Sequence, residues 1–322
     1  EVKDGQGTSE EVNGLYVTLI NLASSIPEGA TNRLYDVVRM GIQNKIQQIY
    51  EHIFNILDGK KGLFQGKYGS RNLALGTRNV ISAASLKSEL PDSPQLIKST
   101  ETQMPLFQMM KGFQPLLTYE LRNIFINNIF GDNNTQVPLI NAKSINIEYV
   151  PVKIQVVDKW TTSKGISDLT SAFRDERMRD KPITLTVDKQ QYYFWMTYRD
   201  GDTVELFRNI ADIKNSREKR GLKFDAANMA PLTYAEMFYI CTYKATKGKH
   251  VMVTRYPVTG VGSIYPSRIH LVTTTQAETI RLISDAGEME FPHWPIKGRA
   301  YTGSMALHPS KLPGLGADQL VA

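Results

Sequence analysis

One stretch, from Gly59 to Ser88, divides the chain. It holds Lys60, Lys61, Lys67, Arg71, Arg78 and Lys87 and no acidic residue. Glycines at positions 59, 62, 66 and 69 make its first part a poor helix and a poor strand. Before it, apolar residues recur at helical spacing. After it, helical and alternating patterns are mixed. A chain so divided is expected to be α+β, a helical segment followed by a loop and a larger mixed region.

The helical segment is explicit in the pattern. Leu15 to Ala23 predicts a short helix that breaks near Ser24-Ser25-Ile26-Pro27. Thr31 is expected to cap a longer one. Its apolar positions are Leu34, Val38, Ile42, Ile46, Ile49, Ile53 and Leu57, on one face, with Gly59 as the stop. Two helices in tandem suit an antiparallel pair, and core packing is the expected use of that face.

Beyond the basic stretch, Met104 to Phe130 predicts two helical pieces parted near Gly112 and Pro115. Ile145, Ile147 and Tyr149 alternate with polar residues, as do Val152, Ile154 and Val156, so strands broken by Pro151 are expected. Ile183 to Val187 and Tyr192 to Tyr198 flank Asp188-Lys189-Gln190-Gln191 as a hairpin would. The Tyr192-Tyr193-Phe194-Trp195 run could stack on bases, but a packed hairpin face is the better reading. The mixed charges of 175–181 and 214–220 read as solvated helix faces. Leu232 to Tyr243 predicts a helix, and Arg268 to Val272 a strand.

The net charge of +6 favours a polyanionic partner. A single cysteine, Cys241, excludes an internal disulfide; within Met237-Phe238-Tyr239-Ile240 it reads as a buried filler rather than a nucleophile. No apolar run reaches bilayer length, and no signal-like segment opens the sequence, so an intracellular protein without a membrane partner is expected. His270 and His308 have no companions at metal-ligand spacing and read as structural histidines. The basic, glycine-containing stretch could hold phosphates closely, and a solvated loop is an equal alternative on composition alone.

Three blocks go further. The first runs from Gly59-Lys60-Lys61-Gly62-Leu63-Phe64 to Gly76-Thr77-Arg78-Asn79-Val80-Ile81. The second is Val251-Met252-Val253-Thr254-Arg255-Tyr256-Pro257 with the residues up to Gly262. The third is Leu307-His308-Pro309, then Ala317-Asp318. In this order and at these separations they resemble the β′-type largest subunit of multisubunit DNA-dependent RNA polymerases. A chain that stops at the third block resembles the split polypeptides of giant bacteriophage polymerases.

The resemblance implies a helical clamp root over 1–58, a basic switch loop over 59–82, and a double-psi β-barrel region over 83–322. No family motif falls between about 140 and 230, which is expected to be an inserted α+β region. By position, Lys60, Lys67, Arg71 and Arg78 inherit nucleic-acid contact, while Leu63 and Gln65 replace two family arginines. Arg255 and Pro257 hold the nucleotide-binding positions, and Thr254 replaces an asparagine that helps sense the 2′-hydroxyl. Asp318 inherits the catalytic, Mg²⁺-binding role. The implied activity is nucleotidyl transfer, template-directed RNA synthesis from nucleoside triphosphates. It requires other β- and β′-like subunits, a DNA template and the RNA product, in the cytoplasm of an infected bacterial host.

The family pattern departs at the third block. There the family reads Ala-Asp-Phe-Asp-Gly-Asp-Gln, whereas Asp318 is followed at once by Gln319. Mg²⁺ needs several oxygen ligands, so Asp318 alone does not fix it. Three readings stay open: an acidic tip present in the parent gene and missing from these residues, a deletion, or coincidence. The first is expected, because Gln319-Leu320-Val321-Ala322 resumes the family register, and further Asp ligands would lie in the missing tip. The alternative function is a non-catalytic nucleic-acid-binding scaffold that has lost the metal loop. A basic structural protein unrelated to polymerases is the third.

Overall fold

The computed structural model describes residues 2–3, 6–7, 11–59, 62–63, 75–84, 93–131, 136–255, 263–284 and 287–311. The chain forms two compact units, 1–74 and 75–322. Together they are mixed α+β.

In the first unit, strands β1 (Val2–Lys3) and β2 (Gln6–Gly7) pair antiparallel. Helix α1 (Glu11–Ser24) and helix α2 (Asp36–Leu57) form a hairpin, with Leu22 packed against Gly41. The cap is Asn32, not Thr31: its side-chain oxygen accepts the Leu34 N–H at 3.3 Å and opens a 3-10 turn before α2. Gly59, at φ 79°, follows the helix end. The expected apolar core of α2 is not formed. Ile49 is buried (8% exposed), but Leu34 is 75%, Ile46 48% and Ile53 45% exposed. Among the described residues of this unit the two helices pack only on each other, which leaves one face of each open.

Among the described residues, the second unit contains three sheets. The first sheet is mixed, in the order β12-β13-β4-β16-β3, built from β3 (Ile81–Ala83), β4 (Glu101–Pro105), β12 (His250–Thr254), β13 (Ile264–Val272) and β16 (Met305–Leu307). The second, β11-β9-β10-β14-β15, comprises β9 (Met196–Asp200), β10 (Thr203–Phe207), β11 (Met229–Pro231), β14 (Ala277–Ser284) and β15 (Gly287–Pro295). The third, β6-β5-β8-β7, comprises β5 (Gln136–Asn141), β6 (Ile147–Pro151), β7 (Thr184–Val187) and β8 (Gln190–Tyr193). Among the described residues none of the three closes into a barrel.

The helices are α3 (Leu106–Gly112), α4 (Gln114–Leu121), α5 (Asn127–Phe130), α6 (Ile154–Thr161), α7 (Ser163–Ala172), α8 (Glu176–Arg179), α9 (Ile210–Lys219) and α10 (Tyr234–Thr246). A π-helical segment, Arg122–Ile126, joins α4 to α5. Helix α10 is buried on nearly every side, at Ala235, from Met237 through Thr242 and again at Ala245 and Thr246, with Cys241 fully enclosed. It packs on α3, α4, β13 and β15. Its start is fixed by a capping box. The Glu236 N–H donates to Thr233 Oγ1 at 3.3 Å, and the Thr233 N–H donates to Glu236 Oε2 at 2.9 Å.

Several sequence expectations change. Ile145 is not in a strand: it sits in a turn at φ 53°, after Asn141 Oδ1 accepts the Lys143 N–H at 2.9 Å, and the strand starts at Ile147. Val152 to Val156 does not continue it, because Val157 and Trp160 are buried at helical spacing in α6. The hairpin forms, but its turn shortens to Asp188-Lys189, both in the left-handed region (φ 48° and 68°), because Gln190 and Gln191 already pair with Val187 and Thr186. Its second arm ends at Tyr193, and Met196 begins a strand of a different sheet. Phe194 packs against Trp160 and Phe130, so the aromatic run is core. The two charge runs are not purely solvated. Arg179 is buried over Tyr301, at 4.3 Å from the ring centroid. Arg217 is buried beside Glu205 at 3.3 Å and also bonds Asp200.

Thr233→Ala is expected to lower stability by about 1 kcal/mol through loss of the cap. Phe291→Ala, against Tyr239, Tyr243 and Trp294, is expected to cost about 3–5 kcal/mol. Urea unfolding of the two variants measures both, and equal losses would contradict this account of α10.

Candidate nucleotide and nucleic-acid site

The first sheet gathers strands from distant parts of the chain. The first block ends at Ile81, the first residue of β3; the second opens within β12, at residues 251–254; the third begins at Leu307, the last residue of β16. β16 pairs parallel to β3, with Met305 opposite Ile81 and Leu307 opposite Ala83. On its other side it pairs antiparallel to β4, with Leu307 opposite Thr102. β13 runs parallel to β4 and pairs antiparallel to β12, placing Thr254 opposite Ile264. Hence β12 and β16 finish at the same end of the sheet, the end where β4 and β13 start. The three resembling blocks thus contribute to one sheet.

No family model matches the chain, and no curated protein matches it.

Arg255 follows β12 at that shared end. Its backbone N–H donates to Ser263 O at 2.9 Å, and its side chain is half-buried. Thr254 is exposed. Past β16, His308 Nδ1 lies 2.8 Å from Ser310 Oγ, in keeping with a structural histidine. Lys311 closes this short 3-10 turn and places Nζ 5.5 Å from the Tyr265 ring centroid. Arg78 is exposed and precedes β3, so the register sets it towards the opposite end of the sheet from Arg255. Lys60, Lys67, Arg71, Pro257 and Asp318 lie outside the described residues, as does the backbone at 317–319. Among the described residues no three metal-ligating side chains gather.

The sheet is tied to the second sheet by a pair of histidines. His270 on β13 and His293 on β15 face each other through Nε2 atoms 3.0 Å apart, and only one proton can lie between them. On its other side His270 Nδ1 is 3.3 Å from Glu101 Oε2 on β4. Burial raises the Glu101 carboxyl, but the hydrogen bonds from His270 and from the Lys98 N–H outweigh it, and the net shift is downward. Burial, then the charge of His270, pushes His293 down to about 3. The His293 backbone N–H donates to Tyr239 Oη of α10 at 2.8 Å, and its carbonyl accepts from Thr273 Oγ1 at 2.6 Å. Sequence reasoning found His270 as structural and missed His293. A lone histidine between Pro292 and Trp294 carries no signal, because its partner is supplied by another sheet.

Unfolded His293 takes up a proton near pH 6.5, whereas the folded residue resists until about 3. Between these values the unfolded chain binds the extra proton, so acidification removes stability. This residue alone removes about 2 kcal/mol between pH 6.5 and pH 5. His293→Gln is expected to flatten that part of the profile. Urea midpoints of the two proteins across this range provide the check, and parallel profiles would rule the account out.

Proposed function

We propose that this chain is a β′-like subunit of a multisubunit DNA-dependent RNA polymerase, and that its first sheet belongs to a double-psi β-barrel. The observation that carries this reading is the convergence of the three blocks on one sheet. Ile81 of the first block, residues 251–254 of the second and Leu307 of the third lie on strands of the same sheet. The common end of β12 and β16 further supports it, because Arg255 and the residues after Leu307 then start from one place.

The described residues do not make a magnesium site of their own. Arg255 and Lys311 are cations and would repel one. Metal ligands are assigned to Asp318 and to the acidic residues expected beside it in the parent gene. What the described side chains do is attract negative charge. Arg255 offers a planar fork of donors and Lys311 a point charge, both suited to phosphate. The basic stretch, with Lys60, Lys67, Arg71 and Arg78, serves the template and transcript through phosphate contact.

In this reading the activity is template-directed nucleotidyl transfer in the interior of an infected bacterium, completed by partner subunits. Among the described residues, no helix is long and apolar enough to cross a membrane.

The test is extension of an RNA primer on a DNA template by the complex that carries this chain, with and without magnesium. Asp318→Ala is expected to reduce extension to background while leaving assembly of the complex intact. Extension that ignores both the substitution and the removal of metal would favour the scaffold reading instead.

A further inference from the structure

One buried hydrogen-bond chain crosses from the first sheet to the second. It runs from Glu101 on β4 through His270 on β13 to His293 on β15. Counting its protons fixes the charge of the middle member. The Glu101 carboxyl, whose net shift is downward, is a carboxylate and only accepts. His270 Nδ1, 3.3 Å away, therefore carries a proton. At the far end the ring of His293 has the Gln95 carbonyl as its backbone partner, another pure acceptor, which holds the His293 proton on Nδ1. His293 Nε2 is then a lone pair, and the proton in the 3.0 Å contact belongs to His270 Nε2. Both nitrogens of His270 are protonated, and the ring is an imidazolium paired with Glu101. Burial, and then that charge, keep His293 neutral beside it.

A neutral His270 does not satisfy both neighbours. With its proton on Nδ1, two lone pairs face each other across 3.0 Å. With its proton on Nε2, a lone pair faces the carboxylate. Turning the His293 proton into the contact sets a lone pair against the Gln95 carbonyl. Each arrangement leaves a buried polar group without its hydrogen bond. The surrounding charged and titratable groups do not relieve this. Lys98 and Arg268 are exposed cations on either side of Glu101, and His250 on β12 is exposed opposite Arg268. Glu278 on β14 is paired with Arg199. Tyr239 on α10, kept a phenol by burial, accepts the His293 backbone N–H at 2.8 Å.

We propose that Glu101, His270 and His293 form a proton-operated latch between the first and second sheets, closed while His270 holds both ring protons and loosened when solvent removes one. The loosening reaches α10, because the residue released is the one whose backbone bonds Tyr239. It is distinct from the acid effect on His293 described above, in which the second histidine gains a charge; here the first loses one. The latch rests on the hydrogen-bond geometry and not on the polymerase reading.

The experiment uses the full chain with nitrogen-15-labelled histidine. Ring-nitrogen spectra are recorded as the pH is raised from neutral to alkaline, and amide hydrogen exchange of residue 293 is followed in parallel, corrected for the intrinsic base-catalysed rate. His270 is expected to show two protonated ring nitrogens at neutral pH and His293 one. Loss of a His270 proton is expected to lower protection of the residue 293 amide roughly 10-fold, the size of one buried hydrogen bond left unmade. His293→Gln, whose side-chain amide turns either to donate or to accept, is expected to make that protection independent of pH. Glu101→Gln is expected to leave His270 with one ring proton at neutral pH.

A single ring proton on His270 at neutral pH in the natural chain overturns the proposal. So does an amide at 293 whose protection does not follow the His270 proton, or a Glu101→Gln chain in which His270 still holds both.

Discussion

Helix α10 has almost no side that faces water, and the second unit is arranged to enclose it. Its run of Met237, Phe238, Tyr239, Ile240 and Cys241 is covered by α3 and α4, by β13 of the first sheet and by β15 of the second. A helix with no polar stripe must be surrounded to be stable. Tyr239 is the one polar tip within this run, and it is used: its oxygen receives the His293 N–H. Packing and hydrogen bonding therefore meet at the point where the two five-stranded sheets approach each other.

The parts of the fold that were legible in the sequence are those whose signals are local. The α1–α2 hairpin, the β7–β8 reversal (though not its length) and α10 follow from spacing, from a polar break between two apolar runs and from the apolar run at 237–241. The parts that were not legible depend on partners far away in the chain. Val152 to Val156 alternates as a strand would, yet Val157 and Trp160 draw the segment into a helix because the core is there to receive them. Arg217 reads as one charge among several until Glu205 and Asp200, on β10 and β9, come to meet it. Buried, it is held by its pairing, and loss of either partner would leave a charge without compensation.

The candidate site divides in the same way. Arg255 was expected from the run of residues around it, and the fold places it directly after β12. The contact of Lys311 with the Tyr265 ring was not, since it joins two residues far apart in the chain. The helical hairpin shows the opposite failure. Its periodicity correctly marked which residues are apolar but not whether anything covers them. An apolar stripe reports a need for a partner; only the surrounding chain reports whether the need is met.

The passage from β8 to β9 has a consequence for how this region arose. Only Phe194 and Trp195 separate the end of the third sheet from the start of a strand of the second, and Trp195 Nε1 donates to Phe125 O on the π-helical segment at 3.2 Å. The segment from about 140 to 230 is therefore not a cassette hung from a single junction. Trimming it back would unpick a neighbouring sheet, so any ancestor without it must have built that sheet from other strands.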